Sequence, residues 1–337
     1  MTLKRQDRRS PGRVAGIAVM LAALALPASA QGGRKDAART SAGKTEPGKS
    51  DAAKPDAGKP DDDGEDKVDS ENLFGFTEGT DVGRKGEQEV ILDTIVRLSK
   101  RRAGPGPSGY AAAQPELSYQ YDLTDQFSIE PGIWLDTRRQ RNIADLPDTA
   151  SGGFNGGSLE LKYQFHKRTD DSPFGLAIQS EPQWARIDPI EGIGGDVFSA
   201  DTRLIADARL IPDKLWAAVN LIYDPQVAAR KGSGEVERSS TLAVSGSLMG
   251  RVSEHVFLGP EVRYARAYDG AALNRFDGDA VFLGPVLHMQ VEKKFFLTVA
   301  ATTQVYGHDR DPSYARQAFN LTQFPRHAVR IRFGAEF

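Results

Sequence analysis

The last eleven residues, His327 to Phe337, constrain the fold more than any other stretch. Val329, Ile331, Phe333, Ala335 and Phe337 fall on one side of an extended strand and Arg330, Arg332, Gly334 and Glu336 on the other, because successive side chains point to opposite faces. One face is apolar to its last residue. At the edge of a water-soluble sheet that face would invite aggregation. Lipid outside and water inside a closed barrel would satisfy both faces.

The same alternation recurs from Glu87 onward in about twelve segments near ten residues long. Leu117, Tyr119, Tyr121 and Leu123 alternate with Glu116, Ser118, Gln120 and Asp122, and Leu159, Leu161, Tyr163 and Phe165 alternate with Glu160, Lys162 and Gln164. Later segments fall at 174–186, 197–211, 215–225, 238–250, 256–267, 279–291, 295–306 and 327–337. Short connections at Thr124-Asp125, His166–Pro173, 212–214, 253–255 and 292–294 alternate with mostly longer ones at 99–110, 140–156, 187–197, 226–237, 268–278 and 307–326. That is the expected asymmetry between periplasmic turns and outer loops. The prediction is an all-β fold: a transmembrane antiparallel up-and-down β-barrel of about twelve strands over 87–337, with both ends on the periplasmic side. A β-sandwich also alternates, but it would tolerate charges on the apolar face, and none stands at the central outward positions. Pro131, Pro182, Pro260 and Pro285 are expected at bulges or strand ends, since they remove ladder donors.

Composition agrees without deciding. A hydrophobic content of 39% with a mean hydropathy of −0.45 excludes a polytopic helical membrane protein but not a barrel, whose strands contribute only alternate apolar residues. The net charge of −3 gives no reason to expect a nucleic-acid partner, and the absence of cysteine removes disulfides and thiolate metal sites. Residues 1–30 read as a secretory signal: Lys4, Arg5, Arg8, Arg9 and Arg13, an apolar run from Val14 to Leu26, and a small-residue cleavage site ending at Ala30. The expected address is therefore the outer membrane, with its lipid and the barrel-assembly machinery as partners.

Residues 31–70 are rich in Lys, Asp, Ala, Gly and Pro. With no apolar period, no core offsets the entropy of ordering them, so a disordered periplasmic linker is expected. Its roughly 35 Å reach would allow contact with cell-wall polymer, although a plain spacer needs less. Residues 71–86 differ in kind, with Phe74 and Phe76 among Gly75, Gly79, Gly83 and Gly86. Two readings stay open: a plug in the barrel mouth, with Phe74, Phe76 and Asp81 as its candidates, or a lead-in to the first strand.

Positions expected to line the lumen are Glu116, Glu130, Asp136, Arg138, Glu160, Lys162, Glu181, Arg186, Asp201, Arg203, Asp207, Arg209, Glu261, Arg263, His288, Glu292, Arg330 and Arg332. Arg203 with Asp207, and Glu261 with Arg263, are spaced for ion pairs along one strand face. Twelve strands fall between barrels filled by side chains and those holding an aqueous channel, so an open pore and a closed lumen both remain possible outcomes. No nucleophile elbow and no adjacent Ser–His pair is present, and His308, Asp309 and Asp311 are too scattered to define a metal site. No catalytic residue, cofactor or metal is assigned. The expected function is a passive, porin-like channel for small solutes, ahead of a structural barrel and, third, a lipid-acting hydrolase.

Phe74-Gly-Phe-Thr-Glu-Gly-Thr-Asp-Val-Gly83, Leu123–Phe127, Ser172–Asp188, Phe282-Leu-Gly-Pro285 and Phe333-Gly-Ala-Glu-Phe337 together resemble a proteobacterial outer-membrane barrel family of unknown function. The same resemblance extends to barrels labelled for a meta-pathway of phenol degradation. The resemblance covers about 72–337. It implies the barrel and supplies neither a substrate nor site residues.

Overall fold

The computed structural model describes residues 68–292, 294–314 and 317–337. The expected signal peptide, and the linker up to residue 67, lie outside the described residues. Twelve antiparallel strands close on themselves, each paired with its sequence neighbours and the last with the first. They are β1 Gln88–Leu98, β2 Gly109–Thr124, β3 Phe127–Arg141, β4 Thr149–His166, β5 Phe174–Ile187 and β6 Gly194–Ile211, followed by β7 Leu215–Arg230, β8 Val236–Ser253, β9 Val256–Asp269, β10 Arg275–Glu292, β11 Phe295–Asp309 and β12 His327–Glu336. Closure runs from Glu89 opposite Glu336 to Leu98 opposite His327, so both barrel ends emerge on one side, as the alternation of loop lengths predicts.

The outward face is an in-register apolar belt. Tyr163, Ile178, Leu204, Leu221, Val244, Tyr264 and Val281 pair in succession from β4 to β10. Leu204 is 50% exposed, Val219 54% and Ile133 58%, exposures that lipid, not water, makes favourable. Leu204→Arg would place a charge in this belt and should cost about 2–4 kcal/mol of folding stability in lipid. Urea titration in phospholipid vesicles reads it, and an unchanged midpoint would remove Leu204 from the hydrocarbon.

Two expectations need correction. Several strands are longer than ten residues, reaching 18 in β4, β6, β8 and β10. Stretches assigned from sequence to outer loops, such as 149–156 and 275–278, are paired. There the ladder runs through Gly, Ser and charged residues, which leave no apolar alternation to read. The four prolines sit inside strands rather than at strand ends or register shifts. Pro260 even pairs with Pro285 without a shift. Each faces a local gap in the ladder on one side, as between Ser247↔Glu261 and Gly250↔Leu258 around Pro260. On its other side the pairing continues, so the lost donor costs one bond rather than the strand.

Candidate functional site: the lumen and the segment inside it

Among the described side chains, every charged residue expected in the lumen points inward except Arg186, which is exposed on the outer face of β5. Gln183 and Ala185 hold the inward parity there, Ala185 being buried against Trp134, Val197 and Ala228. Nothing is described for the Glu292 side chain.

The wall divides by chemistry. Glu130 stands opposite Glu160 and Glu181 opposite Asp201. Glu160 and Glu181 face each other between the pairs Ser158↔Gln183 and Leu161↔Ser180, and Asp201 and Asp224 between Ser199↔Gln226 and Thr202↔Tyr223. Carboxylates thus form one continuous row across β3 to β7. Directly opposed side chains sit about 4.5–5.5 Å apart at Cβ, where like charges repel. Glu160 accepts a hydrogen bond from Gln179 (2.7 Å) and Asp201 is clasped by Arg203 (2.8 and 3.0 Å). Glu181 and Asp224 have no hydrogen-bond or ion-pair partner among the described residues, and both are half-buried.

The opposite wall, β7 to β12, carries a patch of small and apolar residues among its polar ones, and there the N-terminal segment is packed. Leu73, Phe74 and Phe76 are buried against Trp216, Ala218, Met249, Phe257, Val286, Ala300 and Ala328. Each large side chain so buried contributes about 1.5–3 kcal/mol. A Cβ on Gly75 would lie 2.5 Å from Ala300 Cβ and 2.6 Å from Glu261 Oε2, and one on Gly79 would lie 2.0 Å from the Ser70 carbonyl oxygen. Only glycine allows this approach.

Irregular backbone inside a barrel must find partners for its polar groups, and lumen side chains supply them. Glu261 accepts the N–H groups of Phe76 (3.0 Å) and Thr77 (2.5 Å), and Asn220 accepts from Glu78 N–H (2.7 Å) while donating to its carbonyl (2.9 Å). Asp207 accepts from Thr80 N–H and Thr80 Oγ1, both at 2.9 Å, and from Ser70 Oγ at 2.6 Å. Glu78 is the electrostatic centre: Arg330 lies 2.7 Å, Arg332 3.1 Å and Arg203 3.3 Å from its carboxylate. Asp93 holds Arg330 and Arg332 from the barrel side at 2.6 and 3.3 Å. Glu71 reaches Lys162 at 3.2 Å, and Asp81 accepts from Gln164 and Arg168. His288 Nδ1 lies 3.0 Å from the Asn72 carbonyl oxygen.

The ion pairs expected from strand spacing do not form as read. Arg203 turns to Asp201 and Glu78, while Asp207 pairs with Arg168 at 2.7 Å. Glu261 is taken by the inserted backbone, and Arg263 instead lies over the Phe76 and Phe282 rings at 5.5 and 4.9 Å. Asp136 and Arg138 do pair, and Arg209 reaches Asp170 in the β4–β5 turn.

Loops narrow the opposite mouth. Phe324 of the last loop packs edge-on against Phe282 at 6.0 Å, and Gln304 donates to the Asn320 carbonyl at 3.0 Å. Asp309 is engaged by Arg101 at 3.0 Å, so it is tied into the loop packing rather than free to bind a cation. Tyr110 Oη donates to the Ile190 carbonyl at 2.7 Å, and burial pushes the neighbouring Lys100 ammonium down to about 8. One Ser–His contact escaped the sequence: His166 Nε2 lies 2.9 Å from Ser172 Oγ across the β4–β5 turn, its ring stacked on Phe174 at 4.5 Å.

Residues 66–337 match the family of unknown function DUF6662. The chain belongs to that family. This DUF6662 barrel is similar in fold to the COG4313 outer membrane channel of Pseudomonas putida F1, with a TM-score of 0.53 at 13% identity over 77% of this chain and 98% of that one. The NanC porin aligns at a TM-score of 0.43 and 11% identity over 72% and 98% of the two chains. The translocator domain of the Neisseria meningitidis autotransporter NalP aligns at 0.44 and 11% over 77% and 91%. No curated protein sequence matches the chain.

Proposed function

We propose that the DUF6662 barrel is a passive outer-membrane channel for small polar solutes, favouring cations, and that residues 68–83 are its plug. The observation behind this is the carboxylate row, above all Glu181 and Asp224. A charged row of unpaired carboxylates is too costly to keep dry, so this reading puts water in the lumen beside it. The Pseudomonas putida barrel of similar fold is an outer membrane channel, which is consistent with this reading. The packed segment on one side and the inward loops on the other favour a second reading, a closed structural barrel. Planar-bilayer recording separates the two. Residues 31–337 should give small or infrequent conductance steps, and residues 87–337 larger and longer ones. Silence from both, with each shown folded by heat-modifiable gel mobility, would select the structural barrel.

A further inference from the structure

The outward face at the long-loop rim has a second chemistry. Leu135 pairs with Phe154 and Trp184 with Phe198, forming two short apolar and aromatic rows on the outside of β3–β4 and of β5–β6, with Gly157 rather than Phe154 opposite Trp184. Phe154 is 48% and Phe198 57% exposed. Such rows mark the boundary between acyl chains and headgroups. Arg186 follows Trp184 at the next outward position of β5, and one residue pair along a strand is about 7 Å. Lys231 begins the adjoining loop, its N–H donating to the Gly194 carbonyl at 3.0 Å. Both cations are exposed, and neither side chain has an ion-pair or hydrogen-bond partner among the described residues.

These groups border a cleft of about 710 Å³ whose walls include Phe154, Trp184, Arg186 and Lys231 and whose floor is largely glycine backbone. At Gly195 a side chain is excluded, since a Cβ would lie 2.4 Å from the Ala229 carbonyl oxygen, whereas a Cβ on Gly153 or Gly194 would meet nothing within 4 Å. Two of the three nearby acids are neutralised by a cation, and the third, Asp196 on the cleft wall, is held by an indole N–H and keeps its charge. Glu191 and Glu237 both clasp Arg230, and Asp196 accepts from Trp184 Nε1 at 3.2 Å. Arg139, exposed and also unpaired on neighbouring β3, adds positive charge to the same rim. We infer that this cleft binds the phosphate group of an outer-leaflet glycolipid, with Arg186 and Lys231 on the phosphate and Phe154 and Trp184 on the adjoining acyl chain. The aromatic walls select a lipid over free phosphate, and a phosphate suits paired cations through charge-assisted hydrogen bonds.

The test uses the mature protein in detergent, titrated with micelles of diphosphoryl lipid A and followed by tryptophan fluorescence and native mass spectrometry. Arg186→Ala with Lys231→Ala should weaken binding about thirtyfold, as expected for two surface cations beside charged lipid, while Arg186→Lys stays within about threefold. Arg238→Ala, on another part of the rim, should change nothing. Heat-modifiable mobility establishes that each variant is folded, and Arg186→Gln alone serves if the double variant is not. Equal binding by the double variant, equal binding of dephosphorylated lipid A, or full competition by millimolar inorganic phosphate would each overturn the proposal.

Discussion

Glu78→Ala is expected to release the N-terminal segment from the lumen while leaving the barrel folded. The carboxylate of Glu78 is contacted by Arg203, Arg330 and Arg332 at 2.7 to 3.3 Å, and Glu78 is 4% exposed. Removing one partner of a buried ion pair typically costs about 3–5 kcal/mol, because the other is left uncompensated. Here the loss falls almost wholly on docking. Arg330 and Arg332 keep Asp93, and Arg203 keeps Asp201, so the wall retains counter-ions once the segment has left. The strand ladder does not pass through Glu78 at all. A docked population that exceeds the undocked one by a few kcal/mol would then become a mixture, a shift of about a hundredfold or more. Two measurements should move together: channel open time in a planar bilayer, and cleavage of residues 68–86 by protease added from the linker side. Glu78→Gln, which keeps hydrogen-bond acceptors but not the charge, should fall between wild type and alanine. Full protection of the segment in Glu78→Ala, with wild-type conductance, would mean that Glu261, Asn220 and Asp207 hold the segment without it.

The barrel was legible because lipid and water impose opposite demands on neighbouring residues, and strand geometry writes those demands into the sequence with a period of two. The Arg330/Arg332 against Ile331/Phe333 alternation is that period in its plainest form. Arg186 misled because it lies just past the apolar belt, where polar residues serve either face and parity has to be counted through Ala185 and Gln183. The interior partnerships could not be read from spacing. Arg203 and Asp207 share a strand face, yet each is claimed by another element, and the choice depends on a segment more than a hundred residues upstream. Asn220 stood on the inward face between Ala218 and Ile222, where apolar neighbours concealed its role as the clamp on Glu78. Phe74 and Phe76 signalled burial, but a lead-in strand would also have buried aromatics. The packing on which the proposed plug reading rests lies on the wall opposite, where Ala218, Ala300 and Ala328 leave the room that Leu73 and Phe74 fill.

Glu181→Gln combined with Asp224→Asn should stabilise the barrel and weaken its preference for cations, an opposite pairing of effects from that of a structural site. Unit charges about 5 Å apart repel by roughly 0.8 kcal/mol in water and about 3 kcal/mol at an effective dielectric of 20. Glu181 has Asp201 opposite on one side and Glu160 on the other. Asp201 has Arg203 in compensation, whereas Glu181 and Asp224 have no such partner, so neutralising those two removes repulsion without orphaning a cation. The denaturation midpoint in urea should rise, with a gain of about 1–2 kcal/mol left after screening by lumen water. The potential they supply to the lumen falls at the same time. With residues 31–86 removed, reversal potentials in a potassium chloride gradient should show cation preference for the unmodified wall. For the double variant they should move toward zero, or beyond it, since Arg97, Arg203, Arg263, Arg330 and Arg332 all remain on the inward face. A protein that used these carboxylates only to cross-link its lumen would lose stability on their neutralisation. A drop in the urea midpoint with an unshifted reversal potential would therefore reverse the assignment and make the row a structural seam.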